Sequence, residues 1–131
     1  MATTTATITI SSSDLTGDPL SLSTTTTLYK AAQTVGLENT TGMGRTTYAT
    51  AAERVLIADA NYTDDGAHKV YIANKATDAT HNIIVTVEGI ALGKLYAGDW
   101  MFFPWDGAAG TDIKVTTSDV NMVVEHMVIF E

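Results

Sequence analysis

The chain has no cysteine, two prolines, three histidines, and seven lysine and arginine residues against fifteen aspartates and glutamates. Without cysteine there is no disulfide and no thiolate metal site. The cations (Lys30, Arg45, Arg54, Lys69, Lys75, Lys94, Lys114) stand singly along the sequence. Displacing counterions from phosphates requires clustered cations. With a formal charge of −8, nucleic acid is therefore not an expected partner. No apolar run approaches the roughly 20 residues of a membrane-spanning helix, so no membrane partner is expected. The opening MATTTATITI has neither a basic n-region nor a continuous apolar h-region. The expectation is a protein made in a cytoplasm without a secretory leader.

What is abundant is threonine, with runs at Thr3–Thr5 and Thr24–Thr27. A β-branched side chain is stiff at χ1 and suits a strand. Alternation follows. Ile8 and Ile10 share one face in ATITISS (6–12), and Leu20 and Leu22 share one in LSLSTTTT. Gly17 and Pro19 punctuate the turn between them. From Val35 to Arg45 the glycines Gly36, Gly42 and Gly44 predict a weakly packed loop. Residues 47–60 fit both a helical stripe and an alternating strand around Val55 and Ile57, with strand preferred.

Beyond residue 68 the period of two is clearer: Val70 and Ile72; Ile83, Val85 and Val87; Ile113 and Val115. IALGKLYAG (90–98) carries an internal glycine that predicts a bulge. Turn formers separate these runs, at Asp65-Gly66, Asp106-Gly107 and Ser118-Asp119. Short strands at regular spacing predict an all-β fold, an antiparallel β-sandwich or jelly roll. Its expected division is an extended polar N-terminal arm over 1–46 and a β-sandwich domain over 47–131.

Chemical signatures are scarce. His68, His81 and His126 are far apart in sequence and lack the spacing of a metal site. His68 and His81 flank turns, where an exposed histidine is ordinary; His126 shares a face with Val124 and Val128 and is expected to be partly buried. Asp64-Asp65-Gly66 lacks the register of a calcium loop, and aspartate is common in turns. No GxSxG, P-loop or GxGxxG occurs. The expectation is a protein that is not an enzyme, with no catalytic residue, metal or cofactor.

The richest stretch is AGDWMFFPWDG (97–107), with four of the ten aromatic residues. Alternation sends Trp100 and Phe102 to one face, Met101 and Phe103 to the other, so both faces are apolar. Pro104 lacks an N–H and is expected to end the pairing, leaving Trp105 in a turn. The strand 121–130 is also apolar on both faces. Two such strands expose more apolar surface than one small core absorbs, which predicts an oligomer. Trp100, Met101, Phe103, Trp105, Val123, Met127 and Ile129 are the candidate interface, with Trp100 or Phe102 turned to the core.

VYIANKATDATHNIIVTVEGI, LYAGDWMFFPWDG and TDIKVTTSDVNMVVEHMVIFE resemble small virion structural proteins of tailed bacteriophages, notably marine ones. The Thr-rich opening is also typical of them. The resemblance spans residues 70–131 and rests on pattern. It implies a β-sandwich or jelly roll present in many copies on a virion assembled in the host cytoplasm, with no catalytic residues. The leading expectation is a capsid decoration (cement) protein. It forms a homo-oligomer, a trimer being favoured. It contacts the major capsid protein or other virion proteins through Ile8, Ile10, Leu20 and Leu22 of the arm. The alternatives are a tail, neck or fibre component of the virion, a carbohydrate-binding module stacking sugars on Trp100, Trp105 and Tyr96, and a cupin-like enzyme using the three histidines.

Overall fold

The computed structural model describes residues 2–15, 17 and 19–131; Thr16 and Asp18, within the turn expected at 15–22, lie outside the described residues. Among the described residues the chain is built from antiparallel strands, with one 3-10 turn at Asp59–Asn61 and no α-helix.

The strands are β1 (Thr5–Ser12), β2 (Leu20–Thr27), β3 (Asn39–Thr40), β4 (Gly44–Tyr48), β5 (Glu53–Ile57) and β6 (His68–Asn74), followed by β7 (Asn82–Val87), β8 (Ile90–Tyr96), β9 (Trp100–Trp105), β10 (Ile113–Thr117) and β11 (Met122–Phe130). Strands β1 and β2 form a hairpin of their own. A second sheet runs β5-β10-β7-β8. A third runs β3-β11-β6-β9, with β4 beside β3 along the same edge of β11.

The expected alternation fills the core. Val70 and Ile72 from β6 and Val124 and Val128 from β11 form one buried cluster with Ile83 and Val85 from β7 and Ile113 and Val115 from β10. Burying each such side chain contributes about 1.5–3 kcal/mol. Both larger sheets thus turn one face onto a single core.

Two bulges settle what alternation left open. In β5 the register against β10 slips between Ile57 and Val55. Ile57 points into the core while Val55 is exposed, so residues 53–57 are a strand with a phase change. In β8 the register slips beside Gly93, as its glycine predicted, leaving Leu92 as the extra residue.

The segment 35–45 differs from expectation. Leu37 is fully buried, its N–H donates to the Leu28 carbonyl at 2.9 Å, and β4 pairs Gly44 through Tyr48 with His126 through Met122. Strand β4 crosses residue 46, and the self-paired polar segment is the hairpin ending at Thr27. Glu131 ties this region to the rest: its carboxylate accepts the N–H of Ala31 at 2.6 Å and of Ala67 at 2.8 Å.

Candidate functional site

Residue pairing fixes which way β9 faces. Val70 pairs with Phe103, Ile72 with Met101 and His68 with Trp105. Because Val70 and Ile72 point into the core, Met101, Phe103 and Trp105 do too. Trp100, Phe102 and Pro104 therefore point outward, and the expectation that Trp100 or Phe102 fills the core is corrected. Trp100 is 56% exposed and Trp105 only 5%.

Pro104 does not end the strand: it pairs with Lys69, and pairing continues through Trp105. Strand β9 is an edge of its sheet, the place in a sheet where a missing N–H is tolerated. Trp105 is thus a strand residue and not a turn residue. Its indole Nε1–H donates to the carbonyl and the hydroxyl of Thr111, at 3.0 and 3.1 Å.

The seven candidate interface residues accordingly divide. Trp100, Val123, Met127 and Ile129 share the outward face, while Met101, Phe103 and Trp105 face the core. Tyr71 joins the outward set, its ring 6.4 Å from that of Trp100. A charged pair sits on this face. Glu125, itself buried, accepts from Arg45 Nε at 2.8 Å and from the Tyr71 hydroxyl at 3.3 Å. The bond from Arg45 chiefly holds the Glu125 carboxyl below the ordinary carboxylate range. Met127 and Ile129 also line a groove of about 230 Å³ shared with Ala2 and Thr4.

The four arm residues come together. Ile10 pairs with Leu22 and Ile8 with Thr24, while Ser12 pairs with Leu20. Ile8, Ile10, Leu20 and Leu22 therefore form one stripe, and all four are exposed. The opposite face is a threonine and serine ladder, in which the Thr7 and Thr25 hydroxyls lie 2.8 Å apart. A two-stranded hairpin alone is marginal in water.

The histidines separate. His68 is fully buried, against the expectation of an exposed turn residue. Its Nε2 lies 2.9 Å from the Thr63 carbonyl, its Nδ1 accepts the Glu131 N–H at 3.4 Å, and its ring packs beside Tyr62 and Trp105. The signal in the sequence is Gly66 and Gly107, where a Cβ would run into the imidazole. His81 lies 3.1 Å from the Asp119 carboxylate. His126 is half-buried, 3.1 Å from the Thr46 hydroxyl, and burial pushes its pKa down. Among the described residues no group of three or more His, Asp or Glu side chains is placed to hold a metal ion.

Sequence reading missed a cleft of about 560 Å³ between the edges of the two larger sheets, lined by residues of β9 and of the β7–β8 hairpin. Its residues are scattered between 87 and 111, so no local pattern marks it. No protein-family model matches the chain, and no significantly similar curated protein or solved structure was found.

Proposed function

We propose that the protein is a structural component of a tailed-bacteriophage virion, specifically a capsid decoration (cement) protein. It is a β-sandwich or jelly roll that assembles as a homo-oligomer, with a trimer favoured. It holds the major capsid protein through its N-terminal hairpin, and it assembles with the shell in the host cytoplasm. It performs no catalysis.

The observation carrying this reading is the hairpin stripe. Ile8, Ile10, Leu20 and Leu22 are exposed on a two-stranded sheet that pairs with no other strand among the described residues. An apolar stripe of this kind marks an interaction surface. Covering it removes apolar area from water at about 25 cal/mol per Å². Several hairpins carried by one oligomer convert weak single contacts into tight attachment, and a ligand that binds only the assembled shell stabilises it by mass action.

The outward face of β9, β6 and β11 supports the oligomer. Trp100, Tyr71, Phe102, Met127 and Arg45 have the aromatic, Met and Arg composition enriched at interface centres. A glycan platform fits less well, since one of its three rings, Trp105, is buried.

Light scattering on the purified protein tests the oligomer. The expected mass is three times 13.9 kDa, falling to one chain for Trp100→Asp. A monomer at every concentration, with emission from Trp100 unchanged on adding shells, overturns the reading.

A further inference from the structure

The cleft beside β9 combines three features. Its floor and walls are apolar: Val87, Leu92, Phe103, Pro104 and Trp105. The floor is closed to hydrogen bonding, because the Trp105 indole N–H is already committed to Thr111. The polar groups of its rim include two carboxylates, Glu88 and Asp106, and no lysine or arginine lines it. Glu88 is held at a cost: it stands at φ 52°, followed by Gly89 at 76°, in the two-residue turn between β7 and β8. Asn, Asp or Gly suits that turn better.

On one side of the cleft runs β8, an edge strand whose only partner among the described residues is β7. Ile90, Leu92 and Tyr96 on it are exposed and only Leu95 is buried. Lys94 and the bulge at Leu92 restrict this edge, and the stretch from Ile90 to Gly93, beside the cleft, is the part whose free backbone groups can receive a further strand. On the other side, Pro104 offers no N–H. An extended chain entering the cleft therefore pairs along β8, while β9 supplies the apolar wall.

We infer that this cleft binds an extended segment of a partner protein by strand addition to β8, taking one bulky apolar side chain flanked by lysine or arginine. Backbone pairing supplies the affinity and the alternate side chains the specificity. The rim carboxylates select the flanking cations, and no two lysines or arginines of this chain stand within four residues of each other, so a second copy offers no such segment and is disfavoured as the occupant. That the partner is another virion protein rests on the reading above; the preference of the cleft does not.

The probe is the blocked octapeptide acetyl-Thr-Lys-Thr-Leu-Thr-Lys-Thr-Ser-amide, which places both lysines and the leucine on one strand face. It is titrated into the full-length protein by NMR. The Trp105 indole and the β8 amides are expected to shift together and saturate. Changing both lysines to glutamate is expected to weaken binding about tenfold, and changing the leucine to serine about fivefold. Glu88→Gln with Asp106→Asn is expected to weaken it about fivefold; Glu53→Gln with Asp119→Asn, which remove the same charge away from the cleft, less than about twofold.

No saturable shift at β8, or equal loss in the two double variants, overturns the inference. Peptide binding by a protein that fails to attach to phage shells leaves the cleft standing and overturns the decoration reading instead.

Discussion

The indole Nε1–H of Trp105 lies 3.0 Å from the carbonyl oxygen of Thr111 and 3.1 Å from its hydroxyl. This pair ties the end of β9 to the loop that leads into β10, and it gives a ring on an edge strand both an apolar bed and a polar anchor. Trp105→Ala is expected to cost about 3–5 kcal/mol in urea denaturation. Trp105→Phe keeps most of the area but strands the Thr111 acceptors, and is expected to cost about 1–3 kcal/mol. Trp100→Ala, at a site exposed on the single chain, stays within about 0.5 kcal/mol when the variants are unfolded at concentrations low enough to keep the chain monomeric. Equal losses at the two tryptophans would contradict the assigned phase of β9.

His68 fills its chamber against Gly66 and Gly107. Gly66→Ala sets a methyl group into the imidazole of a fully buried side chain, and overpacking of that kind costs about 1–3 kcal/mol. A methyl group on Gly93 in β8 would meet nothing within 4 Å, and its φ is not left-handed, so Gly93→Ala is expected to be neutral or stabilising by about 0.5 kcal/mol. Thermal melting of the two variants compares them directly; a harmless Gly66→Ala would contradict the packing.

At Glu88 the left-handed backbone is unfavourable for a side chain with a Cβ, by about 1–2 kcal/mol, and asparagine relieves part of this. Glu88→Asn is expected to raise the unfolding free energy by about 0.5–1 kcal/mol while reducing binding at the cleft. A gain of stability with loss of binding is the signature of a residue retained for its carboxylate. A variant that melts earlier contradicts it.

His126 and a set of carboxylates that includes Glu131 and Glu125 make stability pH-dependent in the same direction. Burial pushes the His126 pKa below its ordinary value of about 6.5. Its contribution is therefore complete above that value and is lost as pH falls through the lowered one. The Glu131 carboxyl is held below its ordinary range, chiefly by the N–H groups of Ala31 and then Ala67. It contributes above the ordinary glutamate value and loses that contribution as pH falls through the depressed one. Urea midpoints are expected to be level above pH of about 7 and to decline in two stages below it. His126→Gln removes the upper stage, and curves that stay parallel would contradict this.

Much of the all-β fold is legible in the sequence, because Val70, Ile72, Ile83, Val85, Ile113 and Val115 alternate with polar neighbours and sheets bury one face. The apolar stripe of the hairpin is legible for the same reason. The facing of β9 is not. Met101, Phe102 and Phe103 are apolar in both phases, and only the pairing of Val70 with Phe103 decides between them. The burial of His68 depends on two glycines, one of them 39 positions distant in the chain, and that of Leu37 on a bond to Leu28. Both are long-range facts that no local period encodes. The cleft is longer-range still, since it exists only where two sheet edges meet.

The proposed role of the hairpin stripe is to grip a capsid. Its most direct measurement is co-sedimentation of the protein with phage shells assembled without it. The full chain is compared with a variant carrying Ile8→Thr, Ile10→Thr, Leu20→Thr and Leu22→Thr, which keeps the strand propensity of the hairpin. Saturable binding of the full chain is expected, with loss of binding by a variant whose fold and oligomeric mass are unchanged. Undiminished binding by that variant, or no binding by the full chain, would contradict it.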